Sequence, residues 1–483
     1  MIDLKQYRLL GKKVAVVGGS VVVCAGFAGT VAGQGLPAVP GLTVLQQPVA
    51  TTVQNVCIAL NGLGGNPPIA HPNPNGTPSE RLSNSCTLMV SSSLFNQGIT
   101  PPFDPNGQFN LKISNAQLAT GVQAIAPVQM NAQKQIGVEA AKVNGIGARL
   151  LDLRDGARGI VVGLNGESTQ KSASDPRTTP LRGATGGAAA ADDAGGGPWG
   201  GFFNVAYSWG NVDQTTLQDA YKYGSFSLLA GADYRVNDKF VVGGAFSYSD
   251  TQSDYEQSLG NVKAQTYGVL GYATYYVDDW YVDGLLAYGA VNYDSTRNIN
   301  IPSNNPAAPA IITSATSSPR GDQWSAAIGV GKNYTYDNTN ITPFLRLGYI
   351  WVKNKAFSEN EPIDGLGLGV NERTVRSLQS ALGAKVSKSF STSLGVFTPY
   401  FSAQWMHEFE NDNPSIISKY VADPTNQFFA IPTASPTRDY AVIILGSSAQ
   451  FPNNLSGFLQ FSAAAGLQNE TNYGVVVGVR KQF

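Results

Sequence analysis

Few residues in this 483-residue chain have the types and spacing for chemistry. It carries two histidines, His71 and His407, and three cysteines, Cys24, Cys57 and Cys86. His71 lies among prolines and asparagines with no acid or nucleophile motif beside it, and His407 follows Trp405 on an alternating apolar run. There is no G-x-S-x-G elbow, no pair of cysteines or histidines has metal-ligand spacing, and no strand-to-helix unit surrounds the Gly-rich stretches, as a phosphate loop requires. The sequence therefore predicts no catalytic residue, no cofactor and no metal site. What remains is thiol chemistry. Cys24 falls in an N-terminal run that reads as a secretory signal, which leaves Cys57 and Cys86 as the thiols of the mature chain, in an oxidising compartment. A bond between them would close a loop of about 29 residues and stabilise the fold by on the order of 3 kcal/mol. The alternative is two free, buried thiols.

The elements that position these residues follow from composition. Residues 1–33 begin with Lys5, Arg8, Lys12 and Lys13, continue as an apolar run over 14–28, and end on small residues at Thr30-Val31-Ala32, which is the pattern of a signal peptide. The run is short for a spanning helix, and Val21-Val22-Val23 lacks the small residue that precedes a lipoprotein cysteine. Residues 34–114 are polar, rich in Pro, Asn and Ser, with short helices expected over 53–63 and 83–95 that the Cys57–Cys86 bridge would staple. Such a segment is too small for an ordinary large core and needs a staple.

The region 115–162 reads as helical. Ser114-Asn115 caps a run over 116–126 that Pro127 interrupts. A second run, 128–155, places Ile136, Ala140, Val143, Gly147, Leu150 and Leu153 at helical spacing and ends in Arg149, Asp152, Arg154 and Asp155. At roughly 45 Å, a helix of about thirty residues is long enough to cross a barrel lumen. Residues 163–198 form a low-complexity linker.

From Trp199 onward, alternating runs rich in Gly and Tyr are separated in turn by tight turns and long polar connections. Strands are expected over 200–211, 221–236, 240–253, 262–276, 280–297, 322–336, 341–355, 374–390, 396–411, 439–451, 456–467 and 472–483. Short turns on one side and long loops on the other are the rhythm of a transmembrane antiparallel barrel, here of about 12 strands. In 341–351 the odd positions are apolar and aromatic while Arg346 lies on the other face, and in 397–408 Glu408 falls opposite Trp405. A charge in lipid is costly, so Arg346, Glu408 and Arg480 are assigned to the lumen. The last strand carries Val475, Val477, Val479, Lys481 and Phe483 on one face, so the chain stops on an aromatic that continues the apolar face. A formal net charge of -1 excludes a broadly basic nucleic-acid binder, and a mean hydropathy of -0.09 argues against a bundle of membrane helices but not against a barrel with a polar lumen.

These segments resemble the C-terminal translocator domains of bacterial autotransporters, the type Va secretion family. The resemblance is carried by Trp199-Gly200-Gly201-Phe202-Phe203, Gly231-Ala232-Asp233-Tyr234-Arg235, Trp280-Tyr281-Val282-Asp283-Gly284, His407-Glu408-Phe409-Glu410-Asn411 and the terminal Phe483, with Gly147-Ala148-Arg149-Leu150 similar to the helix preceding such barrels. It implies a mainly β protein: a twelve-stranded outer-membrane barrel over 199–483, with a helix in its lumen and a small helical or irregular N-terminal segment. Arg149, Asp152 and Arg154 are then expected to meet Arg346, Glu408 and Arg480 in the lumen. Phe483 resembles the signal read by the barrel assembly machinery, although Lys481 departs from the usual apolar residue there. Some members cleave themselves by cyclisation of an asparagine in the pore helix. Asn144 sits in a similar stretch, but Gly145 replaces their second asparagine, and a helix glycine allowing close packing is the preferred reading.

The function expected is an outer-membrane, autotransporter-type barrel that displays a short N-terminal segment at the surface of a Gram-negative cell. The competing reading is a helix-plugged structural or porin-like barrel without cargo. Expected partners are the outer-membrane lipid bilayer and the barrel assembly machinery, with a surface ligand left unnamed, no nucleic acid, and a monomeric state.

Overall fold

The computed structural model describes residues 34–63, 76–127, 198–360, 362–410 and 414–483. Alternation of apolar and polar residues produces twelve long strands: β1 Trp199–Val212, β2 Tyr221–Asn237, β3 Phe240–Tyr255, β4 Gly260–Val277, β5 Trp280–Ile301, β6 Arg320–Lys332, β7 Thr339–Asn354, β8 Arg373–Lys388, β9 Gly395–Glu408, β10 Asp439–Phe451, β11 Leu455–Ala465 and β12 Tyr473–Gln482. Each pairs antiparallel with its sequence neighbours, and β1 pairs with β12 from Gly200↔Gln482 to Trp209↔Tyr473, which closes the barrel. Closure leaves no strand edge unpaired, as a structure in hydrocarbon requires.

The register settles which face each residue takes. Phe246, Leu286, Ile328, Leu382, Leu445 and Phe461 point outward and are exposed, Phe246 to 73%. A continuous apolar belt of this kind belongs in lipid rather than water. Asn204, Ser225, Asp233, Thr266, Gln323, Thr342, Ser377 and Gln404 point inward and are buried. Aromatic girdles flank the belt. Trp199 packs on Tyr234 at one end, and Tyr248 on Tyr267 and Tyr288 on Trp324 at the other. On β5, Trp280 and Tyr288 stand in opposite girdles, roughly 26 Å apart along the strand.

The short-turn end holds the C-terminus: Phe483 donates its backbone N–H to Trp199 O at 3.0 Å. At the opposite end the long connections are not irregular polar loops, as their composition suggested. Residues Ile311–Ser317 pair with the outer part of β5 as a hairpin, from Ser295↔Ser317 to Ile301↔Ile311. Phe357–Ser358, Leu368–Val370, Ile416–Tyr420 and Phe428–Ile431 assemble into a separate four-stranded antiparallel sheet.

Among the described residues, three α-helices precede the barrel: α1 Gln46–Leu63, α2 Pro78–Asn96 and α3 Asn115–Ala124. The first two begin earlier than apolar spacing suggested. Thr77 and Glu80 form a capping box at the start of α2 with Pro78 in its first turn, and Ser114 with Gln117 does the same for α3. Both boxes satisfy backbone N–H groups that a helix start leaves orphaned.

Candidate functional site

The largest apolar cluster among the described residues lies above the barrel, at the end with the long loops. From the N-terminal segment it takes Leu36, Val49, Val53, Cys57, Leu82, Cys86, Met89, Leu94, Leu111, Leu118, Val122 and Ile125. From the barrel side it takes Ile299, Ile301, Ala308, Ile311, Leu366, Leu368, Ile416, Tyr420, Ala422, Phe429 and Ile431. The two groups form one core. Each large side chain withdrawn from water here contributes about 1.5–3 kcal/mol. The loop face as a whole contributes on the order of 20 kcal/mol as an upper estimate, before the entropy of ordering the chain is subtracted. Cys57 and Cys86 are bonded within this core, with Cα atoms 5.6 Å apart, joining α1 to α2 as expected of the two thiols left in the mature chain.

Polar contacts fix how the segment sits. Arg297, near the outer end of β5, is fully buried. It donates to Glu359 Oε1 at 3.0 Å and Oε2 at 2.5 Å, to Ala124 O at the C-terminus of α3 at 3.0 Å, and to Leu366 O at 2.8 Å. Glu359 Oε2 also accepts from Leu368 N at 2.9 Å. One guanidinium thus joins the barrel, α3 and the β7–β8 loop, and each of its nitrogens has an acceptor, as a buried ion pair requires. On the β1–β2 connection, Asp219 Oδ2 accepts from Gln123 Nε2 of α3 at 2.8 Å. Burial pushes this carboxyl up to about 6, against which the Gln123 hydrogen bond works. Burial also raises Asp364, whose backbone carbonyl accepts from Ser85 of α2 at 2.9 Å.

The β5–β6 loop completes the stretch before α3. Asn304 N donates to Leu111 O at 2.9 Å, and Asn305 Nδ2 donates to Gly107 O and Asn110 O at 2.9 and 2.6 Å. The tip of the β7–β8 loop lies against the first turn of α2. There Gly365 has φ +75°, and a Cβ on it would come within 2.5 Å of Leu82 N. Only glycine suits both that backbone and that approach. The end of α3 reaches the inner rim, where Ala124 packs with Val212, Tyr221, Tyr223, Tyr255, Val262, Val291 and Tyr293. The described part of 115–162 therefore belongs to the same packed unit as α1 and α2.

In the lumen, Arg480 pairs with Asp233 Oδ1 at 3.1 Å, and both are buried. Glu408 is buried and accepts from Ser377 Oγ at 2.5 Å, Leu378 N at 2.9 Å and Gln379 Nε2 at 3.0 Å. Arg346 reaches Gln404 Oε1 at 3.5 Å. These three face inward as alternation required, and the barrel wall itself supplies partners for each. Arg149, Asp152 and Arg154, the 128–155 helix, Asn144, the 163–197 stretch and His71 lie outside the described residues. His407 stands in the outer girdle between Trp405 and Phe409 and meets Asp439 Oδ1 at 2.8 Å. Lys481 stays at the interface, its ammonium on the Asn453 carbonyl of the last short turn.

Sequence reading missed the loop half of this site. Arg297, Glu359, Asp219 and Gln123 belong to no motif, and their pairing links positions 62 and 96 residues apart. A faint signal existed in Ile416-Ile417-Ser418-Lys419-Tyr420, whose alternation makes a strand with Ile416 and Tyr420 on one face.

Comparison with known proteins matches the barrel. The sequence model of the autotransporter beta-domain covers residues 201–462. The translocator domain of the autotransporter NalP from Neisseria meningitidis is similar at 17% identity and a TM-score of 0.47, over 60% of this chain and 90% of that one. The beta domain of the Bordetella autotransporter Brka is similar at 17% identity and a TM-score of 0.43, over 59% and 99%. The transport unit of AIDA-I from Escherichia coli is similar at 15% identity and a TM-score of 0.41, over 59% and 90%. No curated protein matches the sequence. With its closed barrel of twelve strands and a family match spanning more than half of its length, this chain belongs to the autotransporters, whose C-terminal β-barrel sits in the Gram-negative outer membrane.

Proposed function

We propose that this protein anchors its short N-terminal segment at the cell surface and holds it there, docked on the external loops, rather than exporting a free cargo. The observation that carries this reading is the shared core: α1, α2 and α3 pack with Ile301, Leu368, Ile416 and Phe429 at the long-loop end. In such barrels short turns face the periplasm and longer loops face outward, so that end is the external one. The two described ends of the intervening chain support an exported path. Residue 127 follows α3 at the mouth, and residue 198 directly precedes β1 at the short-turn end. A polar chain running outside the wall would meet hydrocarbon, so the lumen is the proposed route for residues 128–197.

Within this reading the barrel assembly machinery inserts the chain, guided by Phe483, and the protein acts as a monomer. Autotransporter β-domains are not an enzyme family, and the proposal assigns no catalysis.

Antibody labelling and fractionation of intact cells test it. We expect antibodies against residues 34–127 to bind unpermeabilised cells, and the segment to stay with the membrane fraction rather than appear in the medium. A segment shielded from antibody, together with ion conductance of the purified protein in bilayers, would point instead to a plugged barrel.

A further inference from the structure

We propose that the junction between the barrel rim and the loop sheet is a binding site for one small monovalent anion of the halide class, held between Arg373 of β8 and Asn354 of β7. The site is independent of the display reading, because it concerns the rim and not the path of the N-terminal segment.

A cavity of about 20 Å³ lies there, with room for roughly one water-sized occupant. The strands line it with Asn354, Arg373, Ser295 and Ser317, and the loop sheet with Phe357, Val370 and Ile416. Asn354 and Arg373 are directly opposite in register, as are Ser295 and Ser317. Asn354 is only 4% exposed. Its Oδ1 accepts from the Tyr293 hydroxyl at 2.8 Å, which fixes the direction of the amide, and its buried Nδ2 meets no acceptor. Arg373 donates from Nη2 to Thr433 Oγ1 at 3.1 Å, while its buried Nε meets none. Buried polar groups normally have partners, and these two unmet groups line one cavity. Both are donors, and the two serine hydroxyls can turn to donate as well.

Charge separates an anion from a water. Two other charged groups reach the cavity, Glu359 and Lys355, and each has its counterion, Arg297 at 2.5 Å and Asp322 at 2.9 Å. The buried Arg297 and Arg480 each hold a carboxylate, whereas Arg373 holds a threonine hydroxyl. Arg376, in register with Trp351 and through it with Trp324 of the girdle, lies three residues deeper, so Arg373 stands above the membrane. Burial lowers its guanidinium to about 10 from the ordinary 12.5, with no carboxylate to raise it again, and it remains a cation at neutral pH. A water satisfies the N–H groups but leaves this charge uncompensated, and an unpaired buried charge is costly. A monoatomic anion answers both needs, while a phosphate or an organic acid is too large for the space. By mass action the junction then tightens as halide in the surrounding water rises.

The test uses the purified full chain in an uncharged detergent, at constant pH and ionic strength, with sodium gluconate replaced stepwise by chloride up to about 300 mM. Hydrogen exchange is read at Phe357–Ser358, Leu368–Val370 and the outer ends of β7 and β8. We expect exchange there to slow at least about fourfold, as for one ion with a Kd of about 100 mM or tighter, while the middle of β3 and β4 stays unchanged. Asn354→Asp places a fixed carboxylate beside the guanidinium and keeps an acceptor for Tyr293. It should protect the junction in gluconate as chloride does in the wild type, and abolish the chloride response. Arg373→Gln should abolish that response too. Equal exchange of the wild type in both salts would mean that water fills the cavity and would overturn the proposal. A chloride response that survives in Asn354→Asp would be a general salt effect and would overturn it as well. If Arg373→Gln forms no barrel, the wild type and Asn354→Asp decide.

Discussion

The barrel wall and its mouth are held together by opposite means. In the wall, every strand pairs with the strands next to it in sequence, the seam between β1 and β12 being the exception that joins the two ends, and the hairpins at the short-turn end fix the register locally. Its stability is distributed, and one altered lipid-facing residue perturbs a few neighbours. The mouth is built from pieces far apart in the chain: α1 to α3, the outer end of β5 and three loops. No piece there has a complete core alone, so single changes are expected to propagate across the whole cap. A β-barrel can therefore carry a cooperative, water-facing domain without adding a conventional passenger fold.

The sharpest way to break this contrast is at the seam, the one place where the wall depends on a long-range pairing. Deleting Phe483 removes the backbone link to Trp199 and the end of the apolar face of β12. Heat-modifiable barrel in outer membranes is expected to drop to a small remainder of the wild-type amount while translation is unaffected. Normal barrel levels would mean that the wall tolerates even its closing residue.

The next effect belongs to the mouth. Arg297→Ala leaves Glu359 buried without its cation and should destabilise the docked segment by about 3–5 kcal/mol. Replacing both partners by apolar residues of similar size should cost much less. Urea unfolding followed by protease resistance of α1 and α2 measures both, and an equal loss in single and double variants would show that the pair is not the relevant contact.

Cys57→Ser/Cys86→Ser should cost about 3 kcal/mol in the same assay and leave the wall's heat-modifiability untouched. In unreduced wild-type protein neither thiol should react with a maleimide probe, and two labelled thiols would contradict the bond.

The smallest expected change is a pH dependence. The Asp219 carboxyl, facing Gln123 and Tyr255, is pushed up to about 6 in the docked state from an ordinary value of 3.8. A carboxyl with a raised pKa takes up a proton on docking. Its support is therefore present in acid, below about pH 4, and lost as pH rises through about 6, by no more than about 3 kcal/mol. Asp219→Asn should flatten that dependence and strengthen docking at pH 7.5. A wild-type curve flat between pH 4 and 7.5 would remove Asp219 from the account.

The same contrast explains what could be read in the sequence. Alternation in Phe240–Tyr255 or Thr339–Asn354 is local, long and punctuated by turn residues, so strand number, facing and closure were legible before any coordinates. The Cys57–Cys86 bond was legible because few other thiols existed. The cap was not. Its loop strands are two to five residues long, too short to display a period, and their apolar faces acquire meaning only against helices hundreds of positions earlier. The early start of α2 was readable in Thr77-Pro78-Ser79-Glu80, but the weight given to apolar spacing hid it. The charged residues show the same division. Alternation correctly turned Arg480 and Glu408 inward, yet nothing local identified Asp233 or Ser377 as their partners.

Finally, the strands differ in height. From Tyr288 in the outer girdle, β5 continues to Ile301, roughly 40 Å further along its axis, whereas β12 begins at Tyr473 in that same girdle. One side of the molecule is a parapet and the other a doorstep. Under the proposed display, on a cell coated with lipid-linked sugars the low rim beside the β1–β12 seam would be overshadowed, while the tall side would lift the stapled helices clear of the coat. Antisera raised against whole cells should then be dominated by epitopes on α1, α2 and the Ile311–Ser317 hairpin, with little recognition of the connection between β11 and β12.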